Sequence, residues 1–266
     1  MTSARPRPGS GASVPLFDAL APTYDEHFAV PHRRAYDDLA WELVQRLLPA
    51  PRGRIVDAGC GIGRWARRLV DLGHFVVGIE QAAAMAALAR ERVGSARFEL
   101  LEGPMEEAEL PEREADVVLA MGSLQYSEEP DKVLQRLARW AVPGGRVVVL
   151  VDSLVALALE LLAAGKEEEA LLRLETRQGT WVQGDLRADL HLFDRDRLQR
   201  AFEDAGLTDI HTRGLLVGWS VFGRERLLDR LARERSRQLA LEHRLAGNPV
   251  LADLGKQLYA SGRVPQ

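Results

Sequence analysis

The run Asp57-Ala58-Gly59-Cys60-Gly61-Ile62-Gly63 decides the fold of this chain. Before it, Arg54 to Asp57 reads as a short buried strand; after it, Gly63 to Leu72 carries apolar residues at helical spacing. Glycines between a strand and a helix let backbone approach a ligand closely, and the helix that follows offers unpaired N–H groups and the positive end of its dipole. The run is therefore read as a ligand cradle and not as a plain turn.

Outward from this loop the same alternation repeats. Further strands are expected at Phe75 to Glu80, Ala96 to Leu101, Ala115 to Met121 and Gly145 to Asp152, with helices at Ala83 to Gly94 and Asp131 to Ala141. Pro143-Gly144-Gly145 is expected to stop the last of these helices and launch the fifth strand. Upstream, Arg34 to Leu48 is patterned as a helix that packs on the sheet. Downstream, Leu154 to Arg177 reads as largely helical, Thr180 to Phe193 as extended or looped, and Asp196 to Ala205 as helix. Leu207 to Thr212 follows as a strand, Arg224 to Leu245 as one long arginine-rich helix and Gln257 to Arg263 as a last strand. The pattern specifies an α/β fold: a doubly wound, Rossmann-like, mostly parallel seven-stranded sheet with helices on both faces and a helical lid or insert after strand five. The expected organisation is a disordered tail over 1–13, lid helices over 14–50, a cofactor-binding core over 51–152, a substrate-specificity insert over 153–195 and the C-terminal part of the same domain over 196–266. The late arginine-rich helix is expected to share in specificity with the insert.

Composition narrows the partners. A formal charge of -4 gives no electrostatic reason to expect a phosphate backbone or an anionic membrane. No apolar run is long enough to span a bilayer, and the Pro-, Gly-, Ser- and Arg-rich start has no apolar stretch of the signal-peptide kind. The single cysteine, Cys60, has no partner for an internal disulfide, and no Cys/His cluster has zinc spacing. A cytoplasmic protein without a metal site is expected, as monomer or homodimer, acting on a small molecule and on neither nucleic acid nor membrane.

The glycines alone leave the cofactor open. Gly61-Ile62-Gly63-Arg64-Trp65-Ala66 satisfies the dinucleotide pattern, and Glu80 lies at the distance where such folds hold a ribose. Asp57 discriminates. It ends the strand where a dinucleotide would bring a doubly negative pyrophosphate, whereas S-adenosylmethionine brings a cationic amino group and a sulfonium, which a carboxylate complements directly or through water.

Six stretches in order carry a family resemblance: Phe17-Asp18-Ala19-Leu20-Ala21-Pro22-Thr23-Tyr24-Asp25, Ile55 to Gly63, Val77-Gly78-Ile79-Glu80, Ala115-Asp116-Val117-Val118, Pro143-Gly144-Gly145 and Ala205-Gly206-Leu207. Over about residues 17 to 152 the chain resembles a class I S-adenosylmethionine-dependent methyltransferase of the small-molecule type. The resemblance implies that Gly59 and Gly61, with Cys60 between them, line the methionine moiety, that Glu80 takes both ribose hydroxyls, that Gln81 and Met85 border the adenine, and that the Met121 backbone meets the cofactor amino group. Met85 reads equally well as a core residue. Where relatives carry Gly-Asp-Ala after strand three, this chain has Gly103-Pro104-Met105, which removes one expected acid and leaves the Met105 backbone, Glu102 or Glu106 to serve the ring. Tyr24 belongs to the segment that folds over the cofactor, and Arg33 and Arg34 could reach its carboxylate from there.

Methyl transfer from a sulfonium is an in-line displacement whose main demand is alignment. A group that orients or accepts the acceptor's proton is expected among Gln125, Tyr126 and Tyr24. Relatives often carry histidine where Gln125 stands, and an amide orients without deprotonating. His27, His32 and His191 are alternatives if turned inward. The leading expectation is methylation of an O or N atom of a small organic acceptor, in secondary metabolism. Another reaction on the same fold, such as a cyclisation, stays open. Nucleic-acid methylation is disfavoured because Ala120-Met121-Gly122-Ser123 lacks the Asn/Asp-Pro-Pro-aromatic motif that holds a flipped base.

Overall fold

A computed structural model describes residues 12–50 and 52–266. Seven strands form the main sheet: β1 (Arg54–Ala58), β2 (Phe75–Glu80), β3 (Phe98–Glu102), β4 (Ala115–Met121), β5 (Ala141–Asp152), β8 (Thr208–Leu215) and β9 (Gln257–Arg263). Between β5 and β8 a separate antiparallel hairpin is made by β6 (Gln178–Gln183) and β7 (Leu186–His191). The sheet order is β3-β2-β1-β4-β5-β9-β8, parallel through β5, with β9 antiparallel to both neighbours. Strand order reverses between β1 and β4, so a crevice opens at their carboxyl ends, where such sheets bind ligands.

The pleat sends alternate side chains to opposite faces. On one face Val56, Val77, Val118 and Val149 pack under α6 (Pro130–Trp140) and α9 (Arg195–Asp204). On the other, Ile55, Val76, Val117 and Val148 pack under α3 (Pro31–Gln45), α4 (Arg64–Asp71) and α11 (Arg224–Arg233). Each fully buried Val or Ile stabilises by about 1.5–3 kcal/mol, and burial on both faces explains the continuous apolar strands.

At the carboxyl edge the chain adds a cover. Helices α1 (Val14–Leu20) and α2 (Tyr24–Ala29) lead into α3, and Asp18 of α1 accepts the Ala84 N–H at the start of α5 (Ala83–Val93), 2.8 Å away. Leu16 and Leu20 bury against Ile62, Ala82 and Met85. Across from this lid, α7 (Leu154–Ala163) and α8 (Glu167–Thr176) lead into the β6–β7 hairpin.

Four expectations change. The expected tail lies outside the described residues up to 11, but Ser13, at its end, is buried and accepts the Leu16 and Phe17 N–H groups. The fifth strand begins at Ala141, pairs there with Ala115, and resumes register at Val117–Arg146, so Pro143-Gly144 sits in an irregularity inside β5 and not before it. The helix expected over 154–177 divides at Gly165, whose φ of +71° ends α7. The long helix expected over 224–245 breaks at Glu234 (φ -134°, ψ 45°) into α11 and α12 (Arg235–Ala246). The bend lets the fully buried Gln238 and Glu242 turn inward, where Glu242 accepts the Gly218 N–H at the start of α10 (Gly218–Phe222).

Candidate active site

Gly59, Gly61 and Gly63 have φ of +76°, +56° and +75°, a region that disfavours residues with a Cβ. The resulting loop folds back on β2: the Gly59 and Cys60 N–H groups donate to the Ile79 carbonyl at 2.8 and 2.9 Å. Glu80, nearly buried, accepts from Gly61 N–H and Ala82 N–H, both at 2.8 Å, which fixes its carboxylate against the loop. Burial pushes the Glu80 carboxyl up from its ordinary range. Its remaining lone pairs face a cavity of about 80 Å³.

Tyr24, Gly59, Gly61, Gln81, Met85, Met105, Met121 and Tyr126 line this cavity with Glu80. A Cβ built at Gly61, Gly103 or Gly122 would meet nothing within 4 Å, so at all three the backbone itself forms the wall. Of the acids considered for the ring, Glu106 lines the cavity, while Glu102 points outward to pair with Arg90.

Four expected cofactor contacts, Arg33, Asp57, Cys60 and Pro104, are not on this wall. Asp57 is 1% exposed and lines neither of the two cavities; it sits beside Ala66 in the first turn of α4, whose own cap position, Gly63, has no side chain. Burial, with the Glu80 charge nearby, pushes the Asp57 carboxyl up to about 7. The charge argument from sequence thus pointed to a group that braces the loop from beneath. Cys60 is buried against Gly78, and burial pushes its thiol well up, which removes it as a nucleophile. Pro104 opens a turn, its carbonyl accepting from Glu107 and Ala108.

A second cavity, of about 310 Å³, shares Phe17, Tyr24, Met121, Gly122 and Tyr126 with the first. It opens between the lid and the hairpin. Arg33 lines this larger cavity and not the smaller one, with its guanidinium 5.9 Å from the centre of the Trp181 ring; Arg34 lies outside both. Phe17 meets Tyr126 and Trp181 edge to face at 5.1 and 5.7 Å, and His27 stacks on Trp181 at 4.9 Å. The lid is held by Asp37, which accepts from Arg64 and Arg68 of α4 at 2.8 and 2.6 Å, while Arg64 covers the Phe28 ring at 3.6 Å.

Gln125 lines the larger cavity with both ends of its amide engaged. Its Nε2 donates to Asp152 Oδ2 at 2.9 Å, and its Oε1 accepts the Asp152 N–H at 2.7 Å. Burial raises the Tyr24 hydroxyl to about 12 and pushes the Tyr126 hydroxyl well above its ordinary range, so both stay protonated at neutral pH and serve as donors. His27 and His32 line the cavity and are lowered to about 4 by burial and by Arg33. His191 lies on neither wall. Reading from sequence missed Asp152, Trp181, Lys256 and Gln257, all on the larger cavity. For Asp152 a signal existed: an acid at the carboxyl end of a central strand, the edge where such sheets bind ligands.

Residues 56–149 match the family described as a methyltransferase domain. The core of this chain carries a methyltransferase domain, and its fold is that of S-adenosylmethionine-dependent methyltransferases. Among curated proteins, the malonyl-[acyl-carrier protein] O-methyltransferase of Serratia marcescens is 29% identical over 61% of this chain and 60% of its own length. The trans-aconitate 2-methyltransferase of Variovorax paradoxus is 33% identical over 44% of this chain and 46% of its own. The chain thus spans about half the length of these methyltransferases. Among solved structures, the [4+2]-cyclase SpnF superposes with a TM-score of 0.61 at 19% identity, over 100% of this chain and 99% of its own. That likeness covers the lid and the insert as well as the methyltransferase domain.

Among the described residues, no helix is long and apolar enough to cross a membrane. No residue of α11 or α12 lines either cavity; these helices pack on α3 and β8, which corrects their expected share in specificity.

Proposed function

We propose that the protein binds S-adenosylmethionine in the cavity around the glycine loop and transfers its methyl group to an O or N atom of a small organic molecule held in the larger cavity. The observation that carries this reading is the shared wall of Phe17, Tyr24, Met121, Gly122 and Tyr126, which puts two binding spaces end to end. In-line displacement requires that arrangement.

The cofactor supplies a methyl group on a cationic sulfur. The chain's residues supply the rest. Glu80, already oriented by two N–H donors, holds a vicinal diol; Met85 and Met105 give an apolar slot for a purine; Gly59, Gly61 and Gly122 present backbone without side-chain obstruction. Arg33 approaches a carboxylate from the larger cavity. Tyr24 and Tyr126 donate hydrogen bonds at the junction, and the aromatic lid and hairpin exclude water. The insert over 153–195 supplies Ser153, Trp181, Leu190 and Leu192 to the acceptor wall and so sets specificity.

Incubation with methyl-labelled S-adenosylmethionine and a panel of phenols, amines and carboxylic acids tests the reading. Labelled product together with S-adenosylhomocysteine is expected. A cyclisation with the methyl retained is the second reading, motivated by the end-to-end likeness in fold to a [4+2]-cyclase. Converted substrate without S-adenosylhomocysteine would establish it instead.

A further inference from the structure

The wall of the larger cavity carries a charge pattern that selects its ligand. Its acid Asp37 is consumed by Arg64 and Arg68. Its cation Lys256 pairs with Glu160 at 3.3 Å and lies 4.3 Å from the centre of the Trp219 ring. His27 and His32 are neutral and the tyrosines protonated. Arg33 stands on the lid side, against Trp181. At the carboxyl end of β5 stands Asp152, which has no ion pair among the described residues and accepts only from neutral amides: Gln125 Nε2 at 2.9 Å and Gln257 Nε2 at 3.2 Å.

Gln257 sharpens the pattern. A carboxylate without its proton only accepts, so the amide of Gln257 must turn its Nε2 to Asp152, and this leaves its Oε1 buried without a partner. A buried carbonyl left unpaired is destabilising unless a ligand donates to it. Beside it, each Asp152 oxygen has lone pairs left after one amide bond. Asp152 and Gln257 therefore give the cavity a cluster of acceptors awaiting donors, in a wall that also carries the rings of Phe17, Tyr126 and Trp181.

Resting on the proposed function, we propose that Asp152 and Gln257 select an uncharged, ring-bearing acceptor that presents a hydroxyl hydrogen, and reject free carboxylates of the kind named for the two curated relatives. A hydroxyl donates to Asp152 while its ring meets the aromatic wall. A carboxylate would bring negative charge to an unneutralised acid and offer nothing to Gln257 Oε1.

A matched probe pair tests this by calorimetry: 2-naphthol and 2-naphthoate, titrated with and without S-adenosylhomocysteine. The protein should bind the naphthol at least about tenfold tighter than the naphthoate. In Asp152→Asn the preference should shrink to about threefold or less. In Gln257→Leu, which keeps the acid, it should shrink by a smaller factor. A ratio measured on one sample cancels any inactive fraction, so a poorly folding variant does not mimic the effect. Tighter naphthoate binding, a ratio unmoved by Asp152→Asn, or neither probe binding at millimolar concentration would overturn the inference. Failure of S-adenosylhomocysteine to bind would instead overturn the reading of the smaller cavity, with the probe ratio still readable in its absence.

Discussion

The two cavities differ in how the chain assembles them. The smaller is made from short runs at the carboxyl ends of adjacent strands: Gly59 and Gly61 at β1, Glu80 and Gln81 at β2, Gly103 and Met105 at β3, Met121 and Gly122 at β4. The larger gathers residues from across the chain: Tyr24, His32 and Arg33 from the lid, Gln125 and Asp152 from the sheet edge, Trp181 from the hairpin and Lys256 and Gln257 from the start of β9. Backbone geometry constrains the first, because positive-φ glycines and strand ends leave few alternatives. Side-chain chemistry alone defines the second. Substitutions should therefore separate into those felt by the cofactor and those felt by the acceptor.

Glu80→Ala should show the separation most strongly. It removes charge-assisted bonds to a diol and leaves the Gly61 and Ala82 N–H groups without their acceptor, so cofactor affinity should fall by about 1.5 to 3 kcal/mol. Affinity for an acceptor-side probe should stay unchanged. An unaltered dissociation constant for S-adenosylhomocysteine would place the ribose elsewhere.

Asp57→Asn tests whether the acid below the loop is a brace. The unfolded carboxyl releases its proton near 3.8 and the folded one near 7, so between those values the native state holds a proton that the unfolded state has lost. The stability this group contributes is full below 3.8 and falls as pH rises towards 7. Asparagine has no such titration and keeps an oxygen acceptor of the same size beneath the loop. Denaturant melts at pH 5 and pH 8 should show the native protein losing about 2 to 3 kcal/mol relative to the variant over that interval. Parallel curves would mean that Asp57 is ionised throughout.

On the acceptor side, Trp181→Ala removes the ring that Phe17, His27 and Arg33 pack against. KM for an acceptor should rise about tenfold, equivalent to about 1.4 kcal/mol, with cofactor affinity unchanged. Cofactor affinity that fell in parallel would show that the hairpin closes both cavities as one body.

The same contrast explains what could be read from the chain alone. Apolar strands buried on both faces announce themselves, so β2 and β4 stand where periodicity put them, at Phe75–Glu80 and Ala115–Met121. Pro143-Gly144 resembled a turn because its chemistry is that of a turn; only pairing of Ala141 with Ala115 makes it an irregularity inside a strand. Glu234 gives no local sign of breaking a helix, and the contact that accompanies the break, Glu242 accepting the Gly218 N–H, joins residues 24 positions apart. Asp57 was picked out for its charge, yet which way a side chain turns at a strand end depends on the helix beyond. Gln125 was legible as a residue that orients; what it orients, Asp152, lies 27 positions on and meets it only in the folded sheet.

Tyr24 stands where the cavities meet, so its replacement by phenylalanine tests the division at its boundary. Burial raises the hydroxyl to about 12, so it keeps its proton at every pH at which the enzyme would work and cannot act as a base. Its ring, stacked on His27 at 5.6 Å and edge-on to Phe28 at 5.4 Å, is retained in Tyr24→Phe. Loss of one donated hydrogen bond should cost about 0.5 to 1.5 kcal/mol at most, seen as a modest fall in kcat. The pH profile from 6 to 9 should keep its shape. A basic limb that disappeared in Tyr24→Phe would show instead that bound ligands pull the phenol's pKa down by several units, and would move Tyr24 from donor to proton acceptor.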